Sequence, residues 1–214
     1  MIMNQVDLFE LEGLKNKIIL EKNIRSSSSF MVGVSGIDGS GKGFVSNYLK
    51  EELEKLGITV HVENLDGWLN LPEIRFSNQT PAETFYRMGF RLDELIEKVL
   101  LPYNDNQYVH TQIKYLEETW DQFEIMDKLI EKVDVFILEG IFIFQKKILP
   151  YLSYKIWVDC SFDTALKRAV FRNQERLSND DIIRAYRYRY FKAQELHIEL
   201  DKPREKADVI YFND

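Results

Sequence analysis

Cysteine is almost absent from this chain of 214 residues, since Cys160 is the only one. One thiol cannot form a disulfide within the chain, and a metal site built from several cysteines is excluded as well. This fits a reducing compartment, and we expect a cytoplasmic protein. Positive charge is also scarce: 28 Lys and Arg stand against 35 Asp and Glu, a formal net charge of −7. Nonspecific binding of nucleic acid depends on many cationic contacts to phosphate, so we expect no nucleic-acid partner.

Long apolar stretches are missing too. None approaches the ~20 apolar residues of a membrane-spanning helix, so we expect no membrane association. Residues 1–20 carry acidic side chains where a signal peptide has a basic region, and we expect no secretory leader. What is present, 45% hydrophobic and 29% charged residues, is ordinary for a globular protein. We expect one domain over residues 1–214, with residues 1–28 as an N-terminal helical extension.

The hydrophobic pattern alternates between strand-like and helix-like segments. Short apolar runs predict buried strands over 29–36, 58–66, 133–140, 154–161 and 207–214. Apolar residues at helical spacing predict helices over 4–22, 45–56, 81–100, 162–172 and 178–191, with Pro102 ending the third of them. The stretch 103–124 is mixed and rich in tyrosine and polar residues. The alternation predicts an α/β fold with a mostly parallel central sheet flanked by helices.

One glycine-rich stretch, GVSGIDGSGKGF at 33–44, joins the first strand to the next helix. It follows the phosphate-binding pattern of Gly, four residues, Gly and Lys through Gly36, Gly41 and Lys42. Glycines allow a tight turn and direct backbone N–H groups at phosphate oxygens, and the helix start adds partial positive charge. We therefore expect phosphate binding. The candidate nucleotide-binding residues are Gly36, Ile37, Asp38, Gly39, Ser40, Gly41, Lys42, Gly43 and Phe44.

Two acidic residues follow apolar strands. Asp66 comes at the end of 58–66, and Glu139 comes near the end of 133–140. Open α/β sheets bind ligands at the carboxyl ends of their strands, and a carboxylate there is costly to bury without a partner. The functional interpretation is that both acids handle Mg²⁺ and protons beside the phosphates. The structural alternative is a loop or capping acid on the rim.

Arginines form a third feature. Arg168, Arg172 and Arg176 are spaced by four, so they share one face of a helix. Phosphoryl transfer needs positive charge on the migrating group, and such a stripe could form a lid over it. The alternative is a solvated helix face.

These pieces in their order resemble the uridine kinase and phosphoribulokinase branch of P-loop kinases, over roughly residues 30–213. The resemblance rests on the segments GVSGIDGSGKG, NLDGW, VDVFILEGIFIF, KIWVDCSFDTALKRAVFR and ADVIYFND. The segments DGWLNLP and FYRMGFR are similar to bacterial uridine kinase-like proteins. The resemblance implies a P-loop NTPase fold with a short Arg-bearing lid, ATP and Mg²⁺ as cofactors, and a nucleoside-like hydroxyl acceptor. It is compatible with a homo-oligomer.

The resemblance also assigns roles. Asp66 takes the place of the acid that activates the acceptor hydroxyl, and Glu139 that of the acid that helps hold Mg²⁺. Lys42, Arg168 and Arg172 match groups that act on the phosphates. Arg176 matches a lid arginine that contacts the nucleotide. The candidate catalytic residues are therefore Asp66, Lys42, Arg168 and Arg172. Arg176 joins the nucleotide-binding candidates, Glu139 and Asp66 are the candidate metal ligands, and Asp66 is also a candidate for acceptor binding.

The acceptor site departs from the family pattern, because PAETFYRMGFRLDEL stands where uridine kinases have an HPDAFD-like segment. Either Asp93 replaces the ribose-binding acid or Arg91 binds an anionic acceptor. His110 lies where uridine–cytidine kinases contact the base, although a histidine in a polar loop is often only solvated. Trp68 could wall the acceptor pocket or belong to the core, whereas Phe85 is expected in the core.

Three functions were weighed. The leading hypothesis is ATP-dependent phosphorylation of a small-molecule hydroxyl, perhaps on a nucleoside. The second is nucleotide binding with weak or no catalysis, because Gly43 stands where the family has a Mg²⁺-binding Ser or Thr. Water could fill that place, since Mg²⁺ keeps several waters. A GTPase switch is disfavoured, because no Asn-Lys-x-Asp motif follows Glu139.

Overall fold

The computed structural model describes residues 5–25, 29–76, 79–117, 119–173 and 177–214. Its strands are β1 (Met31–Gly36), β2 (Val60–Asn64), β3 (Val109–Tyr115), β4 (Glu124–Ile130), β5 (Val135–Glu139), β6 (Tyr154–Asp159) and β7 (Val209–Phe212). Five of them form a parallel sheet in the order β2–β5–β1–β6–β7. All five coincide with the apolar runs, so the predicted parallel sheet is confirmed.

Helices connect these strands. They are α1 (Gln5–Ile24), α2 (Lys42–Glu54), α3 (Pro72–Arg75), α4 (Pro81–Met88), α5 (Leu92–Leu95), α6 (Leu101–Asn106), α7 (Phe162–Arg172), α8 (Asn179–Ala185), α9 (Phe191–Asp201) and α10 (Pro203–Lys206). Two π-helical segments, Ile96–Leu100 and Tyr186–Tyr190, continue α5 into α6 and α8 into α9. In the described part of the chain, no helix has the length and apolar character needed to cross a membrane.

Each face of the sheet is covered by its own apolar core. Along β1, Val32 and Val34 face the side of α1 and α2, whereas Met31 faces the opposite side. The core on the side of α1 and α2 also contains buried leucine, isoleucine and valine side chains from both helices: Leu11, Leu14, Ile18, Val45, Leu49 and Leu53. Full burial of each such side chain contributes about 2 kcal/mol, which explains why the inner strands are apolar on both faces.

The segment predicted as one helix over 81–100 differs in the structure. The chain leaves helical geometry after Met88, and Phe90 pairs with Leu69 in a short antiparallel bridge. Pro102 does not end the following helix, which continues to Asn106. The wide π turn directly before it changes the hydrogen-bond register, so the helix tolerates a residue without an N–H group.

A hairpin was not predicted. β3 and β4 pair antiparallel from Val109–Ile130 to Tyr115–Glu124 and form a separate two-stranded sheet. Most side chains of β4 are exposed, so it lacks the apolar alternation by which a strand is recognised. The hairpin matters because it covers one end of the parallel sheet beside β2.

Candidate active site

The glycine-rich loop connects β1 to α2 as predicted. Gly39 and Gly41 adopt φ angles of 77° and 95°, the left-handed region that favours glycine. No side chain caps the first turn of α2, and that turn contains no acidic residue. The uncapped N–H groups of a helix start are suited to phosphate oxygens. Lys42 is buried and donates from Nζ to the carbonyl of Ile37 at 3.0 Å, so its charge is held inside the loop.

A cleft of about 380 Å³ opens beside this loop at the carboxyl ends of β1, β2 and β5. It brings most of the predicted site residues together. Among its lining residues are Asp38, Gly39, Gly41, Lys42, Gly43, Phe44, Asp66, Glu139 and Arg172. Three predicted loop residues support the loop instead, because Ile37 and Ser40 have buried side chains and a Cβ on Gly36 would lie 2.4 Å from the Val158 carbonyl oxygen.

Asp66 and Glu139 are linked by Asn64. Asn64 and Glu139 are paired in the ladder of β2 and β5, and the Asn64 Nδ2 donates to Glu139 Oε2 at 2.9 Å. The Oδ1 of the same amide accepts the backbone N–H of Asp66 at 2.8 Å, which fixes the turn after β2. One side chain therefore positions both acids. Sequence analysis missed Asn64, although its place at the end of β2 was a signal.

The pKa values of Glu139 and Asp66 are both raised. Burial raises the pKa of Glu139 to about 7, with Asp66 and Asp38 adding to the effect and Lys42 opposing it. Asp66 is accessible from the cleft, but the cleft walls displace bulk water around it. This desolvation, together with the charge of Asp38, raises the pKa of Asp66 above its ordinary value. Positive charge on bound ligands would stabilise both carboxylates.

These carboxylates fit Mg²⁺ as one or two ligands beside phosphate. Within the described residues, no three His, Cys, Asp or Glu side chains are grouped to hold a metal ion by themselves. That agrees with Mg²⁺ chemistry, in which a few carboxylates combine with phosphate oxygens and water. A Cβ built on Gly43 would meet no atom within 4 Å. The space beside Gly43, where the family has a hydroxyl, is therefore open.

The predicted arginines separate in the structure. Arg172, at the end of α7, lines the cleft. Arg168 instead supports the loop from outside, because its Nη1 donates to the carbonyl of Gly39 at 3.3 Å and to that of Asn213 at 2.9 Å. The same nitrogen lies 3.5 Å from the Sγ of Cys160. Arg176 lies outside the described residues.

Known proteins resemble this chain in sequence and in fold. The sequence model of the Phosphoribulokinase / Uridine kinase family matches residues 31–210. The chain belongs to this family. It is 28% identical over 162 residues to a uridine kinase of Limosilactobacillus reuteri (strain DSM 20016), covering 73% of this chain and 71% of that protein.

Two solved structures show the same fold as this family member. A possible uridine kinase from Bacillus stearothermophilus superposes with a TM-score of 0.71 at 19% identity, over 93% of this chain and 99% of the other. A putative fructose transport system kinase from Silicibacter sp. TM1040 superposes with a TM-score of 0.76 at 17% identity, over 94% and 98%. The P-loop NTPase fold is confirmed, and the family member is a nucleotide-binding kinase that phosphorylates a small molecule.

A second cleft of about 590 Å³ lies under the hairpin. It meets the first cleft at Asn64, Asp66 and Leu69, which line both. Trp68 borders it, although this side chain is fully buried and its indole N–H donates to Glu63 at 2.8 Å. Trp68 therefore combines the two interpretations, since it is a core residue at a cleft wall.

Three other acceptor candidates do not line either cleft among the described residues. Arg91 donates to the carbonyls of Leu69 and Lys114, and its Nε donates to Glu94 at 2.8 Å. Asp93 points to solvent, with a side chain 90% exposed and Lys147 2.8 Å away. His110 is exposed on β3. Arg91 therefore connects the hairpin to the segment after β2 by hydrogen bonds.

The cleft beside the glycine-rich loop also has an aromatic wall, of which Tyr190, like the neighbouring Gln194, was not predicted from the sequence. Phe85, Phe90 and Tyr190 form an aromatic wall, and Gln194 lies beside them. Phe85 is buried as expected and lines the cleft as well. Tyr190 and Gln194 come from the long helical segment near the C-terminus. Nothing in their local sequence distinguishes them from other residues of an amphipathic helix.

Proposed function

We propose that this kinase transfers the terminal phosphoryl group of ATP to a hydroxyl of a small uncharged molecule, most favourably a nucleoside such as uridine. The observation that carries the proposal is the position of Asp66, where the phosphate-loop cleft meets the hairpin cleft. A nucleotide in the first and an acceptor in the second would present their reacting groups to the same carboxylate. That is the geometry that in-line transfer requires.

The loop side supplies positive charge and hydrogen-bond donors. Lys42 exchanges its bond to the Ile37 carbonyl for phosphate oxygens, and the uncapped N–H groups of α2 bind the same phosphates. Arg172 offers its guanidinium from the opposite wall of the cleft. Mg²⁺ held by Glu139, Asp66 and water would neutralise charge on the phosphates. These groups stabilise negative charge where it develops during transfer.

Asp66 is proposed to accept or orient the proton of the acceptor hydroxyl. Desolvation raises its pKa, which makes the carboxylate a stronger base than one in bulk water. Asn64 fixes the backbone of Asp66 through a 2.8 Å hydrogen bond, so its position relative to the loop is set before substrates bind. General-base assistance of this kind contributes roughly 10²–10⁴-fold to a rate.

The charges that line the second cleft, under the hairpin, favour an uncharged acceptor. Asp66, Glu117 and Glu63 line it, against Lys128. Lys128 donates to both carboxylate oxygens of Glu63 at 2.7 and 2.8 Å, so its charge is already paired. Burial opposes ionisation of Glu63, but hydrogen bonds from His61 and Lys128 hold its pKa below the usual value. A phosphorylated acceptor would meet an excess of negative charge here.

The test is ADP release from ATP and Mg²⁺ with a panel of nucleosides, sugars and pantothenate. We expect turnover with at least one uncharged nucleoside, and a fall in kcat of about 10²-fold or more for Asp66→Asn. Nucleotide binding by Asp66→Asn, measured by calorimetry, serves as the control for folding. No turnover with any acceptor, while ATP still binds, contradicts the proposed function.

The second candidate, nucleotide binding with little catalysis, is favoured by Gly43. The open space around its Cα means that Gly43→Ser introduces a hydroxyl without a clash. If water already fills the place of the hydroxyl, we expect kcat to change by less than about tenfold, which corresponds to ~1.4 kcal/mol in the barrier. Gly43→Ala is the matched control, because it adds the Cβ without the oxygen. A rise of several hundredfold for Ser alone would show that the natural site is impaired.

A further inference from the structure

Asp38 is an unexpected charge in a phosphate-binding loop. It lies two residues after Gly36 and lines the same cleft as Lys42. A carboxylate at this place repels the phosphates that the loop binds. Some compensating interaction is therefore needed to explain it.

The contacts of Asp38 lead to the far wall of the cleft. Its Oδ2 accepts the hydroxyl of Tyr186 at 2.7 Å, and its Oδ1 lies 3.4 Å from an Nη of Arg172. The backbone N–H of Asp38 donates to Oε1 of Gln194 at 3.0 Å. These partners come from the end of α7, the π-helical segment and α9. One loop residue thus contacts α7, the π-helical segment and α9.

The partners differ in how firmly they are held. Tyr186 is fully buried, and its ring packs at 5.2 and 5.3 Å from those of Tyr190 and Phe191. The Arg172 side chain is 47% exposed, and its Nη2 also donates to the Tyr186 hydroxyl at 3.3 Å. A rigid tyrosine therefore orients Asp38, and the two together hold a long, partly solvated arginine.

These contacts are not required to end α7. Asn173 adopts a left-handed conformation, with φ of 42°, and its N–H closes the helix on the carbonyl of Ala169. The hydrogen bonds of Arg172 to Asp38 and Tyr186 are thus additional to those that terminate the helix. They bear on where the guanidinium lies, which is the property a phosphate-binding arginine needs.

We propose that Asp38 is a positioning residue: with Tyr186 it holds the guanidinium of Arg172 over the terminal phosphate of a nucleotide bound in the loop. The inference rests on the proposed function for its catalytic consequence, but the placement of Arg172 can be measured without turnover. The repulsion between Asp38 and phosphate is offset because the carboxylate directs a full positive charge to the same place.

The test is a double-mutant cycle of Asp38→Asn and Arg172→Ala, with Tyr186→Phe as a second route to the same contact. The quantity measured first is the ratio of the affinities for AMP-PNP and ADP, by calorimetry, since it reports on the terminal phosphate alone. We expect Arg172→Ala to lower this ratio about tenfold, Asp38→Asn and Tyr186→Phe to lower it severalfold, and the double variant to match Arg172→Ala. Asp105→Asn, an exposed position on α6 with the same charge change, is the control.

Turnover gives the second measurement once an acceptor is known. We expect Asp38→Asn to lower kcat about tenfold or more while KM for ATP stays level or rises, because the terminal phosphate loses its contact with Arg172. Additive effects in the cycle, or an unchanged ratio in both Asp38→Asn and Tyr186→Phe, overturn the inference. A higher kcat in Asp38→Asn overturns it too, since Asp38 would then restrain Arg172. If the wild-type protein phosphorylates nothing, the proposed function fails, and the affinity ratios still decide the inference.

Discussion

At the scale of single residues, the site depends on carboxylates whose ionised form is destabilised by burial. Glu139 is buried and its partner Asn64 is neutral, so ionisation has to be stabilised by ligands or by Lys42. The sequence placed this acid correctly at a strand end, but its burial and its link to Asn64 depend on the register of β2 and β5. Its pKa of about 7 has a consequence for stability.

Glu139→Gln is expected to remove part of the pH dependence of stability. Below pH 4.5 both the folded and the unfolded chain hold the proton. Between 4.5 and about 7 the unfolded chain releases it first, so the free energy of unfolding falls as the pH rises, by on the order of 3 kcal/mol for this group. Gln keeps the oxygen that accepts from Asn64 but cannot ionise. Urea unfolding at pH 5 and pH 8 measures the difference.

In that comparison the wild-type protein should lose more stability than Glu139→Gln between pH 5 and pH 8. Glu97→Gln, at an exposed position, is the control and should follow the wild type. Parallel pH profiles for wild type and Glu139→Gln would mean that Glu139 ionises normally in the folded protein.

At the scale of elements, the hairpin of β3 and β4 forms the roof of the second cleft, which is the proposed acceptor site. Val109, Ile113 and Ile130 anchor it in the core, and because most of β4 is exposed, a few polar side chains supply its other contacts. Arg91 connects the hairpin to the rest of the domain. Its guanidinium donates to the carbonyls of Leu69 and Lys114 and lies 4.5 Å from the ring centroid of Phe123. Lys128 on β4 provides a second connection, because it forms a salt bridge with the buried Glu63 of β2.

Arg91→Met is expected to lower the free energy of unfolding by about 2 kcal/mol, because the carbonyl oxygens of Leu69 and Lys114 lose a charged donor. Urea unfolding measures this loss, and hydrogen exchange should show faster opening of residues 109–130. Arg87→Met is the control, since the Arg87 side chain is 61% exposed and pairs only with Glu83 at the surface; its effect should stay within about 0.5 kcal/mol. Unchanged stability with a higher KM for the acceptor would instead favour the acceptor-binding role.

At the scale of the whole molecule, local pattern was sufficient for the parallel sheet and for the loop. The inner strands are buried on both faces, so each appears as an apolar run, and their carboxyl ends define one edge. The loop, Asp66 and Glu139 could therefore be brought together from sequence. The hairpin could not be predicted, because most side chains of β4 are exposed and lack apolar alternation. The break at Gly89 was hidden by continuous helical spacing.

The contacts between the loop and the C-terminal helices could not be predicted from local sequence pattern, for a different reason. Asp38 meets Tyr186 and Gln194 across 148 and 156 residues of sequence. Such contacts follow from how the C-terminal helices return over the loop, and no spacing rule within a segment reports them. The spacing places Arg168 and Arg172 on one helix, α7, but only the fold separates Arg172 in the cleft from Arg168 behind the loop.

The position of Arg168 has a practical consequence. Its Nη1 lies between the carbonyl of Gly39 and the sulfur of Cys160, the single thiol of the chain. A fluorophore on that thiol would sit one side chain away from the phosphate loop, with no competing attachment point to remove. Burial raises the pKa of Cys160 to about 11, so roughly a thousandth of the thiol is ionised at pH 8 and alkylation is slow. Labelling therefore calls for alkaline buffer and long incubation, after which the dye reports loop ordering in an unmutated chain.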